Sequence, residues 1–141
     1  MKPSVLVCDA KPALQDLCQS LLTEYVTLRL VPNVERCWQA LSEAPIDLLV
    51  WDIDSDSLDP LDVLRRLRTA YPMLKVLLAS RGVTSEFRED TIRLGRINVL
   101  YQSLGPEAVC ILILRMVGYV PHNVSEMPFA RYIQESLSRP R

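Results

Sequence analysis

Residues 48–67 read LLVWDIDSDSLDPLDVLRRL: an apolar run, Leu48, Leu49, Val50 and Trp51, ends on Asp52, and Asp54, Asp56, Asp59 and Asp62 follow. A carboxylate at the edge of such a run either sits in a solvated turn or is held at the mouth of a sheet, where it can act on a ligand. Three more polar residues close apolar runs in the same way: Asp9 after SVLVC, Ser80 after KVLLA and Gln102 after INVLY. Brought to one edge by folding, the four would form a single pocket. Other chemistries lack their parts. The chain has no glycine-rich phosphate loop and no Ser/His/Asp nucleophile set. His122, its one histidine, lies beyond the last apolar run. Cys8, Cys18, Cys37 and Cys110 have no paired spacing, so they read as buried thiols in a reducing compartment and not as bridges or a zinc site.

The elements that must position these residues follow a simple alternation. SVLVCD, VTLRLV, DLLVWD, KVLLAS and INVLYQ are strand candidates, each short and β-rich. Between and after them run helical patterns: PALQDLCQSLLTEY, NVERCWQALSEA with Asn33 to cap it, PLDVLRRLRTA with Asp59 to cap it and Pro60 in its first turn, TSEFREDTIRLG closed by Gly95, and PEAVCILILRMVG closed by Gly118. Five strands alternating with five helices predict an α/β domain with a parallel sheet covered on both faces. Right-handed crossovers leave few topologies, and the doubly wound, flavodoxin-like order 2-1-3-4-5 is the expectation for five units. In that fold the site lies beyond the carboxyl ends of the strands, where Asp9, Asp52, Ser80 and Gln102 fall.

Composition sets the remaining bounds. A chain of 141 residues, 49% apolar and 23% charged, fits one domain and has ordinary globular make-up. Its net charge of −1 gives no basic field for nucleic acid, and RRLR at 65–68 reads as the exposed face of the third helix. The longest apolar run, Ala108 to Leu114, is far short of the ~20 residues of a membrane span. MKPSVLVCDA has no signal-peptide layout, so a cytoplasmic protein is expected.

The order of these fragments resembles the receiver domain of bacterial response regulators over about residues 3 to 118. LLVWD and its loop, leading into LDPLDVLRRLR, resemble the phosphoacceptor block. VLLASR is similar to the strand that delivers a hydroxyl, and LGRINVLYQS to the segment that ends in lysine-proline. The resemblance implies a signalling module and not an enzyme. Asp52 takes the phosphoacceptor position, Ser80 the hydroxyl position and Gln102 the place of the lysine. It also implies a histidine kinase or an output protein as partner. A carboxylate attacking a phosphoryl group brings negative charge to negative charge, which Mg²⁺ offsets with an octahedral shell of oxygens.

Several positions depart from the pattern. Ala10 replaces the second member of the acidic pair and Lys11 follows it; Gln102 and Ser103 replace lysine and proline. Arg81 stands where a small residue is usual, Asp56 where proline is and Pro60 where glycine is. Metal ligation therefore falls to Asp9, Asp52 and Asp54, as a weak or absent site with no other cofactor, and Lys11 or Arg81 is expected to lie against Asp52 in the metal's place. The expectation is an atypical receiver regulated without phosphorylation; the alternative is a working phosphoacceptor in which Asp54 supplies the missing ligand.

Val109 to Val117 leave only Arg115 charged, and a helix apolar all round expects cover on more than one side. Residues 1–118 form the receiver-like domain. Residues 119–141, where Phe129, Tyr132, Ile133 and Leu137 recur near helical spacing, are expected to form a C-terminal tail or short helix that serves as linker or dimer contact. The expected partner is a second copy, met through the fourth helix, fifth strand and fifth helix, including Leu112 and Ile113.

Overall fold

A computed structural model describes residues 2–55, 58–101 and 106–118. The elements run β1 (Ser4–Cys8), α1 (Pro12–Leu22), β2 (Thr27–Val31), α2 (Val34–Glu43), β3 (Leu48–Asp52), a single 3₁₀ turn (Ile53–Ser55), α3 (Pro60–Ala70), β4 (Lys75–Ser80), α4 (Ser85–Leu94), β5 (Ile97–Tyr101) and α5 (Pro106–Met116). The strands pair in parallel in the order β2-β1-β3-β4-β5, as the alternation predicts. Each strand forms within a residue or so of its apolar run. The turn after β3 was not anticipated.

Side chains alternate across the sheet, so each strand feeds two cores. Leu48 and Val50 of β3 join Val5, Val7, Leu77 and the α1 and α5 residues Cys18, Leu22, Val109 and Ile113 on one face. Leu49, Trp51 and Ile53 join Leu6, Cys8, Leu78 and the α2 and α3 residues Cys37, Leu41, Leu64 and Leu67 on the other. Every residue of β3 is buried, which is why its sequence reads as a continuous apolar run. At roughly 1.5–3 kcal/mol per fully buried large apolar side chain, these two layers supply the main driving force.

The caps follow the expected residues. Asn33 Oδ1 accepts from Arg36 N–H at 2.9 Å, and Asp59 Oδ1 accepts from Leu61 N–H at 3.1 Å. Gly95 ends α4 with φ +79°, a left-handed value that suits glycine.

Two expectations are corrected. Arg65 and Arg66 are exposed, but Arg68 turns inward. Its Nη1 donates to the carbonyls of Tyr71, Pro72 and Leu74 at 3.1, 3.2 and 2.7 Å, and its Nη2 to that of Gly95 at 2.7 Å. A guanidinium carries five donors in a rigid fork, so one side chain can gather several loop carbonyls. Ile113 is fully buried in the α1–α5 core and has no surface to offer a second copy, whereas Leu112 is half-buried. The tail, with Phe129, Tyr132, Ile133 and Leu137, lies outside the described residues.

Arg68→Ala removes these bonds, and a loss of about 2–4 kcal/mol in urea unfolding is expected. Arg65→Ala, on the exposed side of the same helix, should stay within about 0.5 kcal/mol of the parent protein.

Candidate functional site

Parallel pairing sends the carboxyl ends of β1, β3 and β4 to one edge, and the polar residue at each end is buried there. Asp9 is 2% exposed, Asp52 1% and Ser80 0%. A carboxylate in such a place requires donors. Asp9 Oδ1 accepts from Lys11 N–H at 2.8 Å, while its own N–H reaches Val31 O at 3.1 Å, tying the end of β1 to that of β2. Gln15 Nε2 braces the same corner from α1, donating to the carbonyls of Asp9 (2.7 Å) and Val31 (3.1 Å).

Asp52 Oδ1 accepts from Asp54 N–H at 3.0 Å, and Asp52 O accepts from Ser55 Oγ at 2.8 Å. Those two bonds define the 3₁₀ turn. The turn carries the Asp54 carboxylate across to β4, where Oδ1 lies 3.0 Å from Ser80 Oγ and Oδ2 accepts from Arg81 N–H at 2.6 Å. Ser80 Oγ also lies 3.1 Å from Gly82 O and accepts from Gly82 N–H at 3.2 Å.

The electrostatics are lopsided. Burial pushes the Asp9 carboxyl above its ordinary pKa of 3.8; the Lys11 backbone N–H and the Lys11 charge oppose this, while the Asp52 charge and a side-chain hydrogen bond to Asp52 add to it. Two acids in contact therefore share the pocket. Among the described residues the ion pairs are Arg29–Glu43, Asp62–Arg66 and Asp90–Arg93, and none involves either acid. The expectation that Lys11 or Arg81 lies against Asp52 is not met. Lys11 engages Asp9 through its backbone, and Arg81 engages Asp54 the same way.

The structure thus brings Asp9, Asp52 and Ser80 to one edge and directs Asp54 to Ser80 and Arg81. Gln102 and Asp56 lie outside the described residues, as does His122. No group of three or more acids, histidines or cysteines among the described residues is placed to hold a metal ion. Tested against Mg²⁺, the side-chain oxygens available at this edge among the described residues belong to Asp9 and Asp52, because the Ala10 side chain carries no ligand atom and both Asp54 carboxylate oxygens are hydrogen-bonded to β4 and its loop. The described residues do not form a three-acid cradle. Sequence reasoning missed Gln15 and the Asp54–Ser80 link; the only signal for the link was an acid two residues beyond Asp52.

A doubly wound sheet with a buried acid on each of two neighbouring strands, and a hydroxyl on the next, defines a receiver-type signalling domain. The chain belongs to the response regulator receiver domain family, whose sequence model matches residues 5–113. A putative NtrX-like response regulator of Rickettsia conorii is 25% identical over 114 residues, 79% of this chain and 24% of that protein. The response regulator GtcR of Aneurinibacillus migulanus is 25% identical over 88 residues, 61% of this chain and 36% of that protein. The chain thus spans about a quarter to a third of the length of these curated relatives. Among solved structures, a response regulator from Thermotoga maritima superposes with a TM-score of 0.69 at 18% identity, over 83% of this chain and 98% of that one. A CheY-like receiver domain protein from Methanospirillum hungatei gives 0.72 at 14%, over 83% and 94%.

The raised Asp9 pKa has a definite sign. A folded-state value above 3.8 favours the protonated form, so its contribution to stability is fully present below pH 3.8 and lost as pH rises through the folded-state value. Asp9→Asn keeps an oxygen for Lys11 N–H and removes the charge. Its melting temperature at neutral pH should exceed the parent's by about 2–4 °C, with the difference shrinking in acid. A calorimetric pH series on the two proteins checks this.

Proposed function

We propose that this receiver domain is an atypical signalling module in two-component or transcriptional regulation, acting through protein–protein contact independently of phosphorylation. The observation that carries the reading is the buried Asp9–Asp52 pair, with a raised Asp9 pKa and no side-chain cation paired to either acid among the described residues. A phosphoryl group arriving at Asp52 would add negative charge to a pocket already short of compensation. Ala10 in place of an acid and Gln102 in place of lysine support the same reading, because each removes a charged contact worth roughly 1.5–3 kcal/mol.

A second reading, a working regulator that takes phosphate on Asp52 from a histidine kinase, is favoured by one observation: Asp9, Asp52 and Ser80 all reach the same edge. Acetyl phosphate or beryllofluoride with Mg²⁺, followed by mass spectrometry or NMR, separates the two. No stoichiometric adduct on Asp52 is expected, and a full adduct reverses the choice.

Residues 1–118 form the receiver unit in this proposal, and 119–141 a linker or dimer contact. The domain works in the cytoplasm. No helix among the described residues is long and apolar enough to cross a membrane. Homodimerisation through α4, β5 and α5 is part of the proposal. It is supported by Ile92, 68% exposed on α4, and by the half-buried Leu112 on α5. Ultracentrifugation should show a dimer that Leu112→Glu dissociates; a parent protein that sediments as a monomer removes the dimer.

A further inference from the structure

The bonds of Asp54 are unlike those of a solvated loop acid. Its carboxylate spans two loops, β3–α3 and β4–α4, joining groups 26 and 27 residues away in sequence. One oxygen meets the fully buried Ser80 hydroxyl and the other takes the Arg81 N–H at 2.6 Å, a short contact between a backbone donor and a carboxylate. The acid is also aimed. Its own N–H is fixed by Asp52 Oδ1, and Ser55 closes the turn on Asp52 O.

An anion attached to Asp52 would have to find its donors at this edge, and among the described residues a hydroxyl and a backbone N–H stand at the start of the β4–α4 loop. Asp54 already holds them. We propose that Asp54 is a built-in anion, taking in cis the Ser80 and Arg81 donors that a phosphoryl oxygen on Asp52 would need and so locking the β4–α4 loop in one arrangement. The lock rests on the phosphorylation-independent reading above and supplies its means. Four residues beyond Ser80, Thr84 caps α4 by accepting from Phe87 N–H at 3.1 Å. The position of residues 81–83 therefore sets where α4 begins. Loop and helix stay in register with Asp52 unmodified, and the face that includes Ile92 is presented constitutively.

The test is amide hydrogen exchange by NMR on the full chain, comparing the parent with Asp54→Ala and Asp54→Asn. Asp54 is exposed, so neither variant opens a core cavity. In Asp54→Ala, exchange at Arg81 and Gly82 should accelerate about tenfold or more, while the β1 and β3 amides of Leu6 and Val50 keep their rates. Asp54→Asn should fall between, since its amide oxygen still accepts one bond. An unchanged Arg81 rate in Asp54→Ala overturns the lock, and so does an equal rise across the whole sheet, which would make Asp54 a general stabiliser. A stoichiometric phosphoryl adduct on the parent's Asp52 instead sinks the phosphorylation-independent reading, and the Arg81 exchange rates still report on the lock by themselves.

Discussion

Two carboxylates buried side by side at the carboxyl edge of a parallel sheet are the constraint from which the rest of this structure follows. Charge in a place that excludes water is costly unless donors meet it. The chain offers each acid the N–H of the residue two further on, Lys11 for Asp9 and Asp54 for Asp52. Each bond bends the chain sharply as it leaves its strand. The bend after β3 is the more consequential, because it decides where the next acid goes. With its N–H drawn back to Asp52, Asp54 stays exposed on one side while its carboxylate is delivered onto β4, where it meets Ser80 Oγ and Arg81 N–H. A local response to one buried acid thus becomes a tie between two loops.

The strands were legible because burial on both faces forces nearly unbroken apolar runs, and a run that stops on Asp9, Asp52 or Ser80 marks the edge of the sheet. Caps were legible because Asn33 and Asp59 act on N–H groups two or three residues away, a distance over which sequence alone determines geometry. The side chains that misled act over longer distances. Arg68 follows Arg65 and Arg66 and carries the same charge, yet its acceptors include Gly95, 27 residues on. Ile113 and Leu112 are equally apolar neighbours, and only the side of α5 that meets the sheet and α1 separates the buried one from the half-buried one. The Asp54–Ser80 bond is of the same kind, since nothing within a window of a few residues encodes it.

Polar side chains divide between the two ends of the sheet in a way that bears on function. At the amino end they satisfy the backbone. Arg68 gathers four carbonyls, Asp47 Oδ2 accepts from Ser4 N–H at 2.8 Å, and Lys75 Nζ donates to Met116 O at 3.0 Å. At the carboxyl end, Asp9 and Asp52 face one another, the Lys11 charge acts on Asp9 from a distance, and neither acid is in an ion pair among the described residues. The first arrangement favours one rigid geometry; the second stores repulsion. In a cooperative domain the stability of the whole resists local opening, so a well-tied amino end allows the carboxyl end to keep an unfavourable acid pair in place.

That division also bears on which state of the domain is low in energy. With Asp54 bound to Ser80 and Arg81, the β4–α4 loop already has its hydrogen-bond partners, and a ligand can shift it only by offering those donors something better. A phosphoryl group is a stronger acceptor than a carboxylate, but on the phosphorylation-independent reading proposed above it would arrive beside Asp9 with Ala10 in place of a second acid. The intramolecular carboxylate competes at a high effective concentration, because it is fixed two residues from Asp52 and needs no transfer reaction. Under the proposed lock the balance lies with the occupant carried by the chain itself, and a surface whose shape depends on that loop would suit a partner that recognises one standing conformation.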